Sequence, residues 1–188
     1  MLADRMRMAA AWLAANPRLY VEDVFSTYLY TGNGSTQTIT NGIDLAGKGG
    51  MVWGKVRDLD GRDHELVDTV RGGGNALYTN SIYKTASSDL LSFTSSGYNL
   101  GYNSQGQNVN TKKYVSWTFR KANKFFDVQT VTVSGGVTAT VDLSSLSVVG
   151  MVALRRTDAD AGLSIIVLVP QENWCISILP PPKRLTEA

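Results

Sequence analysis

The feature that most constrains this chain begins at Phe25, where short β-branched and apolar runs alternate with glycine- and asparagine-rich turns, and no second helical period interrupts them. Strands are expected over residues 26–31, 35–40, 51–57, 65–70, 90–94, 114–120, 125–134, 137–143, 151–157, 163–169 and 174–179. With 188 residues and 43 % hydrophobic content the chain can bury a real core. The expected fold is all-β, a jelly-roll-like antiparallel β-sandwich with a short N-terminal α-helix.

Turn chemistry and alternation refine that expectation. Gly32-Asn33-Gly34 reads as a hairpin turn between residues 26–31 and 35–40, because Asn-Gly tolerates positive φ, and Asn41-Gly42 as a second turn. In residues 114–120, Tyr114, Ser116, Thr118 and Arg120 share one face, while Val115, Trp117 and Phe119 share the other and anchor a core. The same logic sets Val52, Gly54 and Val56 against Met51, Trp53, Lys55 and Arg57, leaving Trp53 either at a sheet edge or over a surface.

Ahead of the strands, residues 1–12 are Met- and Ala-rich, and helical spacing puts Leu2, Met6, Ala9 and Leu13 on one face before Asn16-Pro17 ends the pattern. A helix this short is marginal alone, so it needs its own sheet, a sister subunit or another protein to pack on. A signal peptide is the competing reading, since Arg5 and Arg7 precede an apolar stretch, but that stretch is short and no small-x-small site follows it. The longest apolar run, around Ile165 to Pro170, is far below the roughly 20 residues of a membrane-spanning helix, so a soluble protein without membrane insertion is expected.

The expected units are an attachment helix over 1–18, a β-sandwich over 19–122, and a smaller β unit over 123–188 that ends in a Pro-rich tail. The boundary falls where Arg120-Lys121-Ala122-Asn123-Lys124 breaks the apolar pattern. A partial repeat is suggested by Gly50-Met51-Val52 against Gly150-Met151-Val152, by Asp44-Leu45 against Asp142-Leu143, and by a glycine-turn hairpin before each.

Chemistry is sparse. A net charge of +2 argues against a phosphate-binding surface, so no nucleic-acid partner is expected. Cys175 excludes an internal disulfide, and one cysteine with one histidine, His64, cannot build a zinc cluster. The acidic turn 58–65 has its glycine at the fourth position and carries Arg62, which favours a solvated hairpin tip over a calcium loop. No Gly-x-Ser-x-Gly elbow, nucleophile–base pair, outstanding carboxylate pair or phosphate loop stands out, so neither catalytic residues nor a metal or cofactor is expected. The glycine-, asparagine- and serine-rich stretch 71–110 supplies Tyr78, Tyr83, Tyr98 and Tyr102, which suit either sugar stacking or a subunit interface, with the interface preferred.

The opening Ala3-Asp4-Arg5-Met6-Arg7-Met8-Ala9-Ala10-Ala11 resembles the N-terminus of virion structural proteins of tailed bacteriophages. Residues 23–37, Gly49-Gly50-Met51-Val52-Trp53, Asp68-Thr69-Val70-Arg71-Gly72 and residues 114–122 are similar to a phage domain of undefined function that recurs in tail-fibre-like and appendage proteins. The resemblance covers residues 1 to about 128. It implies a laminin-G-like or concanavalin-like sandwich on the virion surface, with other virion proteins and further copies of the chain as partners, and no catalytic residues. A trimer follows by analogy with fibre symmetry. On this reading a host surface glycan is a further candidate partner, and two other readings stay open: a capsid decoration or cement protein, and a free carbohydrate-binding module.

Overall fold

The computed structural model describes residues 5–7, 19–81, 85–102, 106–132, 139–146, 150–156, 162–168 and 176–178. Its main body is two facing antiparallel sheets. The larger has six strands in the order β1 (Phe25–Thr31), β9 (Lys113–Arg120), β3 (Gly50–Val56), β4 (Glu65–Asp68), β5 (Asn75–Tyr78) and β6 (Thr85–Ser87). The smaller runs β2 (Gln37–Thr40), β8 (Gly97–Leu100), β7 (Leu90–Thr94). The all-β sandwich expected from alternation is the fold observed.

Between the sheets lies a core of Tyr30, Ile39, Ile43, Leu45, Val52, Val56, Val67, Ala76, Leu90, Tyr98, Leu100 and Tyr114. Its large side chains each contribute on the order of 1.5–3 kcal/mol by leaving water. Leu45 opens the short helix α2 (Leu45–Lys48), whose first turn is capped by Asp44 accepting from the Gly47 amide at 2.8 Å. Another single turn, α1 (Val21–Val24), leads into β1.

A second layer covers part of the larger sheet's outer face. Strands β10 (Phe126–Thr132), β13 (Gly162–Leu168) and β12 (Met151–Arg156) form one sheet, and β11 (Ala139–Val141) pairs with β14 (Ile176–Ile178). Phe126 and Val128 pack on Met51, Leu66 and Leu77, with Phe119, Phe125 and Ala153 alongside. Lys121 and the buried Asp127 close the joint with an ion pair of 2.6 Å. Strands after residue 122 therefore pair among themselves, yet they share a core with the sandwich.

Several expectations are corrected. Gly32-Asn33-Gly34 is not a hairpin turn: β1 pairs with β9 and β2 with β8, so the segment arches from one sheet to the other. Its amides are taken by residues 108 and 112, with Gly32 donating to the Lys112 carbonyl and Gly34 to that of Asn108. Hairpins and arches need the same turn residues, and only the strand partners tell them apart. The second glycine-turn hairpin fails likewise, because β10 pairs with β13 and β11 with β14.

The internal echo holds locally. Asp142 accepts from the Ser144 amide at 2.9 Å ahead of the 3-10 turn Ser144–Leu146, much as Asp44 caps α2. It fails as a repeat of sheet position, since β3 lies between β9 and β4 whereas β12 is an edge strand on β13. In β9 the burial is the reverse of the apolar pattern: Tyr114, Ser116 and Thr118 face the sandwich core, and Val115, Trp117 and Phe119 are half-buried on the outer face. Thr118 is satisfied there by accepting from Asn41 Nδ2 at 2.8 Å. Strands β5, β6 and β8 lie in the stretch read as loops. Among the described residues no helix is long and apolar enough to cross a membrane.

Candidate functional site

Two surfaces stand out, a polar cavity and an apolar sheet face. The cavity, about 220 Å³, opens beside β3, β4 and β5, under the β3–β4 turn and the segment around Gln107. Its floor exists because β3 has Gly54: a Cβ there would overlap the Gln107 side-chain amide. Gln107 is 2 % exposed and fixed from three directions. Its amide N–H donates to Asp89 Oδ1 at 2.9 Å, its carbonyl accepts from Tyr30 Oη at 3.0 Å, and its Nε2 donates to Glu65 Oε2 at 3.2 Å. Ser88 Oγ donates to the same Glu65 oxygen at 3.0 Å.

Two stacked tyrosines hold the wall. Tyr30 and Tyr114 lie 5.1 Å apart with rings 11° from parallel, and Tyr114 Oη donates to the Gly106 carbonyl at 3.1 Å while accepting from the Val109 amide at 3.0 Å. At the mouth, Lys55 Nζ donates to the Arg62 carbonyl at 3.0 Å, and Arg62, Asp63 and Tyr78 complete the lining.

Burial dominates the electrostatics. The Glu65 carboxyl is pushed up to about 7 by burial, and further by the Asp89 charge, against the opposing hydrogen bonds from Gln107 and Ser88. Asp89 is also raised by burial, although backbone hydrogen bonds favour its charged form. His64 is lowered, first by desolvation and then by Lys55. Two buried acceptors, Gln107 Oε1 and Asp89 Oδ2, have no hydrogen-bond partner among the described residues.

The acids of the 58–65 turn serve separate purposes. Asp58 accepts from the Lys113 amide at 2.9 Å and Asp63 from Asn80 Nδ2 at 3.0 Å. Among the described residues no three His, Cys, Asp or Glu side chains converge as a metal site. The glycines 72–74 sit in the β4–β5 connection, held by Arg71 against Asp68 at 2.6 Å.

The four tyrosines singled out from sequence do not share a surface. Tyr78 lines the cavity, Tyr102 is 71 % exposed, and Tyr83 lies outside the described residues. Tyr98 is a correction: it is fully buried in the sandwich core, because alternation along β8 turns it and Leu100 inward together. Of the helix face, Met6 is 64 % exposed within the helical residues 5–7, and Leu2, Ala9 and Leu13 lie outside the described residues. Sequence reading missed Glu65, Asp89 and Gln107. A usable signal was present, since Glu65-Leu66-Val67-Asp68 puts two acids into an otherwise apolar strand.

The second surface is the outer face of the six-stranded sheet. Register aligns Leu29, Val115 and Lys55 in one row and Thr27, Trp117, Trp53 and Leu66 in the next. The second layer buries Met51 and Leu66, but Trp53, Trp117 and Val115 are half-buried and Leu29 is 57 % exposed. Trp53 meets Trp117 edge-on at 5.9 Å and His64 at 6.1 Å, so it covers a sheet face in the interior of the strand array.

A family model described as a domain of unknown function (DUF7483) matches residues 21–162, well over half of the chain, so the protein belongs to that family. The match runs through residue 122 without a break, taking in the sandwich and part of the second layer. No curated protein and no solved structure matches the chain.

Proposed function

We propose that this member of the family is a non-enzymatic structural protein of a tailed-phage virion, a tail-fibre or tail-associated appendage subunit that assembles with copies of itself. The observation that supports it most is the outer sheet face, where register sets Leu29, Val115, Trp117 and Trp53 side by side, Leu29 exposed and the other three half-buried among the described residues. Contiguous apolar surface rimmed by polar residues marks interaction sites. The phage-like opening segment and the absence of a nucleophile–base pair in the sequence point the same way.

Immunogold labelling of intact particles with antibody to the purified chain tests this reading. Gold on tails or their appendages is the expected result. Gold on heads transfers the protein to capsid decoration, and unlabelled particles, with the protein free in the lysate, overturn the virion assignment.

A further inference from the structure

We infer that the free edge of β1 pairs antiparallel with β1 of a second copy of the chain, joining two six-stranded sheets about a two-fold axis at Leu29. The inference rests on the self-assembly proposed above and names its contact, and it is independent of the virion assignment.

Register decides which backbone groups are free. The Arg57 amide extends the β3–β9 ladder by donating to the Lys113 carbonyl at 2.7 Å, so odd-numbered residues of β9 bond to β3 and even-numbered ones to β1. In β1, Ser26, Tyr28 and Tyr30 therefore turn their N–H and C=O groups to β9, and the odd-numbered residues turn theirs to the open side. At the ends of that side the Phe25 amide donates to the Val21 carbonyl, and the Thr31 carbonyl accepts from Gln37 Nε2 at 3.1 Å. Between them the N–H and C=O groups of Thr27 and Leu29 have no partner among the described residues.

The other edges of the two facing sheets are guarded. Strand β6 has three residues and β2 four, while β7 is bulged between Leu90 and Ser92 and its Leu90 carbonyl is taken by the Gly74 amide at 2.7 Å. Strand β1 runs seven residues in unbroken register with no charge, proline or glycine, so nothing in it turns a second strand away. Its own sequence selects the occupant. Thr27-Tyr28-Leu29-Tyr30-Thr31 reads the same in both directions, and antiparallel pairing sets one strand against the reverse of the other. Centred on Leu29, the pairing puts Leu29 opposite its equivalent, Tyr28 opposite Tyr30 and Thr27 opposite Thr31, which gives both copies identical contacts, as a two-fold interface requires. Leu29, 57 % exposed, is then covered, and the row of Lys55, Val115 and Leu29 continues into the same row of the second copy. Main-chain hydrogen bonds supply the attraction.

The test is the solution mass of the full chain beside Thr27→Pro, which removes an amide on the open side, spares the bonds to β9 and is tolerated at an edge. The parent should have an even multiple of the 20.4 kDa chain mass, and Thr27→Pro should at least halve it while keeping a cooperative melt. Should Thr27→Pro not fold, Leu29→Cys in a Cys175→Ser background decides. Hydrogen-bonded opposite residues have Cα atoms about 5.5 Å apart, within disulfide reach, so mild oxidation should link two copies. The similarly exposed Leu91→Cys, on the other sheet, should stay unlinked. A monomeric parent overturns the inference together with self-assembly. A folded Thr27→Pro that keeps the parent mass, an odd stoichiometry such as a trimer, or Leu29→Cys that links no better than Leu91→Cys overturns the edge pairing and leaves self-assembly through another surface standing.

Discussion

Glu65 is 7 % exposed, and its carboxyl titrates near 7 rather than at its ordinary 4.5. Between those values the folded chain holds a proton that the unfolded chain has released, so this group's contribution to stability falls as pH rises through the window and levels off above it. At 1.36 kcal/mol per pH unit the penalty is on the order of 3 kcal/mol. Urea melts of Glu65→Gln should therefore match the parent below about pH 4 and exceed it above about pH 8; equal stability at the higher pH would refute the shift. Asp68 is 1 % exposed, accepts from the Val70 and Arg71 amides and pairs with the Arg71 guanidinium. Asp68→Ala strands that guanidinium and should cost about 3–5 kcal/mol in a thermal or denaturant melt. At this scale the sequence was legible for Val52 and Val56, whose alternation places them in the core as found. Tyr98 was not legible, because a tyrosine among Ser, Asn and Gly looks like a loop aromatic until its strand partners, Ile39 and Phe93, are known.

Among the elements, β9 shows where pattern reading stops. Its apolar face, Val115, Trp117 and Phe119, looks like the core side, yet Tyr114, Ser116 and Thr118 face the sandwich. Both faces of this strand are partly covered, and a two-sided strand carries no unique inward face in its sequence. Strands β3, β7, β9 and β10 were found within a residue or two of their ends. The three- and four-residue strands β5, β6 and β8 have turn-like composition and escaped notice. For β3 the telling residue is Gly54. Gly54→Ala should push the Gln107 amide aside, break its hydrogen bond to Glu65 and cost about 1–3 kcal/mol, measurable as a lowered melting temperature.

For the whole molecule, the smaller sheet covers one face of the large sheet and the second layer covers part of the other. Among the described residues the second layer packs on Met51, Leu66 and Phe119, while Trp117 is half-buried and Leu29 exposed. Which face stays open depends on how two sheets and a third layer stack, information spread across residues more than a hundred positions apart. Composition alone therefore could not locate it. The most direct measurement is the solution mass of the full chain by light scattering, beside the variant Leu29→Glu. The account predicts an oligomer for the parent and a monomer with an unchanged cooperative melt for the variant, because unpaired charges at a buried interface cost about 3–5 kcal/mol. A parent chain that is monomeric at micromolar concentration, or a variant that keeps the oligomeric mass, would contradict it.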